Sequence, residues 1–164
     1  MTRIGIISDT HGWFDDALRE FLAGADVVWH AGDIGNLSTA DAIAAFRPMT
    51  AVHGNIDGAE VRLCYPRFQH FSCEGVNVLM THIGGYPGHY DVEALGRILE
   101  FRPRIYISGH SHILRVMPDR RHDLLHINPG AAGIYGFHRV RTAVRLEIDG
   151  DKIQNLEVGE WDRG

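Results

Sequence analysis

Arg3-Ile4-Gly5-Ile6-Ile7-Ser8-Asp9-Thr10-His11 is an apolar, β-branched run that breaks abruptly into polar residues. The run reads as a buried strand. Behind it, residues 13–22 place Phe14, Ala17, Leu18, Phe21 and Leu22 at helical spacing. The opening unit is therefore strand, polar loop, helix. It recurs at once. Residues 26–30 predict a strand ahead of Gly32-Asp33, Ser38 or Thr39 can cap a helix reaching Phe46, and Arg47-Pro48 stops it before a third strand over 49–52. This alternation predicts an α/β fold with parallel pairing in at least part of the sheet.

The second half changes character. Residues 67–72 and 76–81 are joined by Cys73-Glu74-Gly75, a short link that suits a hairpin, and a helix is expected over 91–101, ended by Arg102-Pro103. Further short strands are expected at 104–108, 113–117, 124–127, 142–147 and 152–158, with Asp149-Gly150 turning between the last two. Two sheets packed face to face with helices outside would account for this order. No linker, internal repeat or low-complexity segment divides residues 1–164, so one domain is expected, long enough to bury a core without disulfides.

A net charge of −5 offers no bulk attraction to nucleic acid or to an anionic membrane. There is no basic stripe and no series of aromatic residues for stacking bases, which argues against a nuclease. Cys64 and Cys73 lack C-x-x-C spacing and read as free thiols in a reducing compartment. Residues 1–8 enter directly into a strand, and no stretch approaches membrane-spanning length. The expectation is a cytoplasmic protein with no membrane partner.

Five polar patches each follow an apolar run: Asp9-Thr10-His11, Gly32-Asp33, Gly54-Asn55-Ile56-Asp57, Thr81-His82 and Gly109-His110-Ser111-His112. A sheet can bring all of them to one edge. Asp9 and His11 share a face of an extended segment, Asp33 carries two oxygens able to bridge ions about 3.5–4 Å apart, and Asn55 adds a neutral oxygen. His82, His110 and His112 add imidazoles, which suit manganese, iron, zinc, nickel or cobalt better than magnesium or calcium. The expected division puts Asp9, His11, Asp33 and His112 on one ion and Asp33, Asn55, His82 and His110 on the other. Only two of these ligands, Asp9 and Asp33, are anionic, so two divalent ions leave the site positive and attractive to phosphate. A metal-dependent phosphoesterase is the predicted activity, with Asp33, Asn55 and His110 catalytic through the metals they hold. His30 is read as an outer donor, Asp57 as fixing the turn around Asn55, and Asn128 as satisfying backbone groups near the site. His53, His70, His122, His126 and His138 show no pattern that assigns them a role.

These motifs, in this order from Asp9 to Gly130, resemble the calcineurin-like metallophosphoesterase superfamily, and the short chain resembles its small bacterial and archaeal phosphodiesterase branch. The resemblance implies a four-layer α/β/β/α sandwich of two mixed sheets flanked by helices. It also implies a dinuclear centre often supplied with manganese or nickel, attack on small phosphodiesters by a hydroxide held between the ions, the ligand division above, and the possibility of a homodimer. Two departures stand out. Many members carry histidine after the asparagine, where it helps the leaving group depart; Ile56 stands here and cannot donate a proton. His89, in the loop after His82, is a speculative substitute. The tyrosine that gives purple acid phosphatases their ferric ligand is replaced by Asn36. A non-catalytic scaffold is the competing reading, since a retromer subunit of eukaryotes shares this resemblance and works by binding protein. Its mark is loss of ligands, and here every expected ligand is present.

Overall fold

The computed structural model describes residues 1–164. Two five-stranded mixed sheets face one another. In the first, β1 (Thr2–Ile7), β2 (Val27–His30) and β3 (Met49–Ala51) run parallel. The antiparallel hairpin β9 (Val140–Asp149) and β10 (Lys152–Asp162) completes it in the order β10-β9-β1-β2-β3. In the second, β5 (Val76–Thr81), β6 (Ile105–Ile107) and β8 (Leu124–Pro129) run parallel. Antiparallel β4 (Phe68–Cys73) and β7 (Leu114–Asp119) close its edges, giving β4-β5-β6-β8-β7. Helices α1 (Asp16–Leu22), α2 (Leu37–Phe46), α3 (Ala59–Cys64) and α4 (Val92–Phe101) supply the outer layers.

Strand alternation sorts the apolar side chains into these layers. Ile4, Ile6, Trp29, Val78, Met80, Ile105, Ile107, Ile127, Val144 and Leu146 belong to one fully buried cluster between the sheets. Their neighbours point the other way: Ile7 and Val28 pack with Leu18, Leu22 and Ile43 of α1 and α2, while Leu79 and Tyr106 pack with Ala94 and Ile98 of α4. Parallel strands covered on both faces need continuous apolar runs, which 4–7 and 78–80 supply. Each such side chain contributes about 1.5–3 kcal/mol on burial.

The element boundaries hold some corrections. α1 begins at Asp16 and not at 13, because the Asp15 side chain accepts the Leu18 amide and caps it there. The cap of α2 is Asn36, ahead of the expected Ser38 or Thr39; its Oδ1 takes both the amide and the hydroxyl of Thr39 at 2.8 Å. Residues 59–64 form a short helix that the sequence pattern did not announce. β10 continues to Asp162 after a bulge between Gln154 and Glu157.

His126 is fully buried on β8; its Nδ1–H donates to the Tyr106 carbonyl at 3.2 Å and its Nε2 has no partner. Burial pushes its pKa down to about 4, below the 6.5 of an exposed imidazole. The unfolded chain therefore takes this proton first, and its contribution to stability, complete above about pH 6.5, is lost as pH falls toward 4. We predict that His126→Leu makes the stability curve measured by urea melts shallower between these pH values; an unchanged slope would show that the neutral imidazole does not set it.

Candidate metal centre

The polar patches leave the sheets at the carboxyl ends of β1, β2, β3, β5 and β6, the same edge for all five. Backbone bonds lock the loops together. The Asp9 amide donates to the Gly32 carbonyl at 2.9 Å, that of His11 to Asp33 at 3.0 Å, and that of Gly109 to His82 at 2.9 Å. Side chains tie the two sheets as well: the His110 amide donates to Asp9 Oδ2 at 3.1 Å, the oxygen that also takes the Ser8 hydroxyl at 2.6 Å. That leaves Asp9 Oδ1 free to face inward.

Three imidazoles converge on Asp9 Oδ1: Nε2 of His112 at 3.2 Å, of His82 at 3.7 Å and of His11 at 3.8 Å. Asp33 places Oδ1 against the Ile56 amide at 3.0 Å and turns Oδ2 to His82 Nε2 at 3.1 Å and His11 Nε2 at 3.5 Å. Asn55 Oδ1 stands 3.1 Å from His110 Nδ1. Two groups with metal-ligand spacing result: Asp9, His11 and His112, and Asp33, His82 and His110. All seven expected residues are thus brought together, and Asp33 Oδ2 lies in reach of a histidine from each group.

The arrangement has a chemical deficit. His82 Nδ1–H donates to the Ala31 carbonyl at 2.7 Å, so in the neutral ring Nε2 is a bare lone pair aimed at two carboxylate oxygens. Asp9 Oδ1, His11 Nε2 and His82 Nε2 are buried with no hydrogen-bond partner. At His82 a lone pair faces carboxylate lone pairs, which demands a positive charge among them. Protons can supply it: burial works against charge on His82, but Asp33 and Asp9 outweigh it and raise its pKa. Burial likewise works to raise Asp9, yet His11, His112, His82 and Ser8 hold its carboxyl far below the ordinary range. Divalent cations satisfy the same atoms more completely, and oxygen-plus-imidazole sets of this kind fit transition metals. The residues present therefore fit two metal ions.

Asp9, His11, Asp33, His110 and His112 all have left-handed backbones, with φ of 53°, 45°, 54°, 74° and 62°. Each such residue other than glycine costs on the order of 1–2 kcal/mol, strain of the kind that accumulates at functional sites. The close packing behind them needs Gly54, where a Cβ would come within 2.1 Å of Asp33 Oδ1.

The neighbours divide as follows. Asp57 fixes the turn, accepting the amides of Gly54, Ile34 and Gly35 at 2.8, 3.2 and 2.9 Å. Asn128 donates to Gly109 O and Ser111 Oγ, both at 3.1 Å, and accepts the Gly130 amide at 3.0 Å, bracing the Gly-His-Ser-His loop. His30 accepts the Gly32 amide on Nδ1 at 3.1 Å and donates from Nε2 to the Thr10 hydroxyl at 2.9 Å. It therefore supports the loop backbone and touches no ligand side chain. Burial keeps it neutral, with a pKa of about 4. His89 does not join the cluster: it is exposed, its ring packs on Tyr86 at 4.8 Å, and it lines neither cleft that opens from the centre.

Two neighbours were not anticipated. Tyr135 lies over His11 with ring centroids 4.9 Å apart, and His138 packs edge-on against His112 at 5.1 Å. The available signal was Asn128-Pro129-Gly130, which ends β8 at the same edge and so delivers the loop that follows it to the centre.

A model described as the calcineurin-like phosphoesterase superfamily domain matches residues 2–151. The chain belongs to that superfamily. A curated relative from Mycoplasma pneumoniae, named a probable metallophosphoesterase, is 32% identical over 95% of this chain and 96% of its own length. Among solved structures, an archaeal phosphodiesterase superposes with a TM-score of 0.71 at 21% identity, covering 95% of this chain and 99% of that one. Vps29 of Chaetomium thermophilum superposes with a TM-score of 0.76 at 14% identity, covering 98% and 97%. At these identities the two structures show a shared fold.

The strain gives a test that needs no substrate. His11→Gly and His11→Ala both lose the imidazole that faces Asp9 and Asp33, and only glycine takes a φ of 45° without strain, so metal-stripped His11→Gly is expected to melt about 2–4 °C above metal-stripped His11→Ala. Both variants should also retain less metal than wild type after dialysis against manganese. Calorimetry with metal analysis checks both expectations, and a melting temperature no higher in stripped His11→Gly than in stripped His11→Ala would contradict the account of strain.

Proposed function

We propose that this phosphoesterase-family chain is a phosphodiesterase that holds two divalent transition metal ions, manganese foremost, and cleaves small phosphodiesters. The observation that carries the reading is the set of buried, unpartnered Asp9 Oδ1, His11 Nε2 and His82 Nε2 beside the Asp33 carboxylate. Asp9, His11 and His112 would hold one ion, Asn55, His82 and His110 the other, with Asp33 shared. When bound, such a pair polarises phosphoryl oxygens, supplies a nucleophile at neutral pH and neutralises the departing oxygen.

The protein's own groups orient that chemistry. Asp33 is held by the Ile56 amide and Asp9 by Ser8 and the His110 amide, so neither carboxylate can swing away. The Ala31 carbonyl keeps His82 in the tautomer with Nε2 inward. His110 and Asn55 stand on the exposed side of the cluster, where the phosphoryl group would approach. Ile56 lines the cleft without a proton to give, so the leaving oxygen departs unprotonated or takes its proton from water. This favours esters of acidic alcohols, and it makes no use of His89.

Metal-stripped protein, manganese-reloaded protein and reloaded Asp33→Asn should be compared on bis-p-nitrophenyl phosphate and p-nitrophenyl phosphate. The expected result is metal-dependent cleavage favouring the diester, with at least a hundredfold loss in Asp33→Asn on the order of a typical electrostatic contribution. Protein shown to contain two metals that cleaves neither compound would instead favour a metal-binding scaffold. In a second measurement, Ile56→His is expected to raise kcat on poorly activated alkyl esters by about 10²-fold or more, the scale of general acid catalysis, while changing nitrophenyl esters little. Equal effects on both ester classes would remove Ile56 as the cause of the leaving-group preference.

A further inference from the structure

The cluster opens into two unlike clefts. One, of about 210 Å³, is polar and basic, lined by His53, Asn55, Arg62, Arg67 and His82 among others. The other, of about 460 Å³, shares His11, Asp33, Asn55, His110 and His112 with the centre and continues outward past Ile56, Ile113, Tyr135 and Phe137. Those four side chains are 45%, 58%, 69% and 104% exposed. Single exposed apolar residues are ordinary. Four on one wall, next to a highly polar floor, match the usual composition of a small-molecule site, with an apolar lining and a few convergent polar groups.

The wall is presented by an anchored loop. The amides of Ala132 and Gly133 donate to the carbonyls of Ser8 and Asp9 at 2.9 and 3.2 Å, inside the first ligand segment. Arg141 Nε donates to the Ala132 carbonyl at 2.8 Å while its guanidinium grips both oxygens of Asp15 at 2.9 Å. His138 Nε2–H donates to the Gly133 carbonyl at 2.8 Å, and Arg163 donates to that of Gly136. At Gly136, with φ of 133°, a Cβ would stand 2.4 Å from His112 Nδ1, so the loop lies directly against a ligand ring. Phe137 is thus carried at the cleft by a backbone fastened on both sides, while its ring is fully exposed. A backbone already fastened in this way has little entropy left to lose when a ligand covers the loop, and the cost falls on the exposed side chains.

We propose that Ile56, Ile113, Tyr135 and Phe137 form a subsite for a flat, apolar ester arm, an aryl or nucleobase-bearing group, whose phosphoryl end lies at the metal centre. The proposal rests on the phosphodiesterase reading above and extends it to the substrate class. The geometry sets the direction of binding: a phosphoryl group at the shared residues has an apolar wall on the Tyr135 side only, because the other cleft offers arginine and histidine. Aromatic faces accept any planar ring, so the subsite selects flat arms over short alkyl arms and does not read one ring in particular.

Binding of phenylphosphonate and methylphosphonate to manganese-loaded protein, by titration calorimetry, tests this without turnover. Both share the phosphoryl group, and only one carries a ring. Wild type is expected to bind phenylphosphonate about tenfold more tightly, equivalent to about 1.4 kcal/mol. That ratio should fall to about one in Phe137→Ala and in Ile113→Ala, two exposed positions whose truncation leaves the core untouched. Equal affinity for the two compounds in wild type, or a tenfold ratio that survives both substitutions, would overturn the subsite and leave the phosphate reading standing. If neither compound binds protein shown to contain its metals, the phosphate reading falls and takes the subsite with it.

Discussion

Everything at this centre depends on carboxylate oxygens and imidazole nitrogens buried facing one another, three of them with no hydrogen-bond partner. Asp9 Oδ1 and Asp33 Oδ2 face Nε2 atoms of His11, His82 and His112 at 3.1–3.8 Å, and the backbone has already committed the other faces of His82, Asp9 and Asp33. A fold that buried these atoms without compensation would lose stability, since each buried unsatisfied polar group costs about 1–3 kcal/mol. The metal-free chain meets part of the demand by raising the proton affinity of His82. Cations meet it better. The same electrostatic demand is one that divalent ions would satisfy.

That demand spans both sheets, and the sandwich places its groups together. β1 and β2 bring the carboxylates, β5 and β6 bring His82, His110 and His112, and the only way to unite them is to pack the sheets so that their parallel strands end at one edge. The bonds from the His110 amide to Asp9 Oδ2 and from His82 Nδ1 to the Ala31 carbonyl stitch that edge. The left-handed backbones of five ligands show how the strand ends are bent to aim their side chains inward, and the buried cluster of fourteen residues beneath supplies the stability that offsets them. Function and stability pull against each other here in a small number of named residues.

Much of this was legible along the chain. The strands at 3–7 and 76–81 declare themselves by the apolar runs 4–7 and 78–80, the hairpin at Asp149-Gly150 by its turn pair, and the ligands by polar residues placed directly after strands. The less legible features are those that local patterns do not encode. α1 starts at Asp16 because Asp15 serves both as its cap and as the anchor of Arg141, a contact across 126 positions. His30 has the spacing of an outer donor to the metals, yet its two ring nitrogens engage the Thr10 hydroxyl and the Gly32 amide. His89 follows a ligand closely in sequence, but its loop leads away to Tyr86.

The sequence by itself determined the layered α/β architecture and the identity of the seven residues that meet, because strand-end position and side-chain chemistry are both local properties. Only the tertiary structure decided which atoms of those residues face one another and that Tyr135 and Phe137 line the cleft. Those outcomes depend on how two sheets approach and on where the loop after β8 is pinned. The loop's anchors, Ser8, Asp9, Asp15 and Arg141, come from opposite ends of the chain and meet only once it has folded.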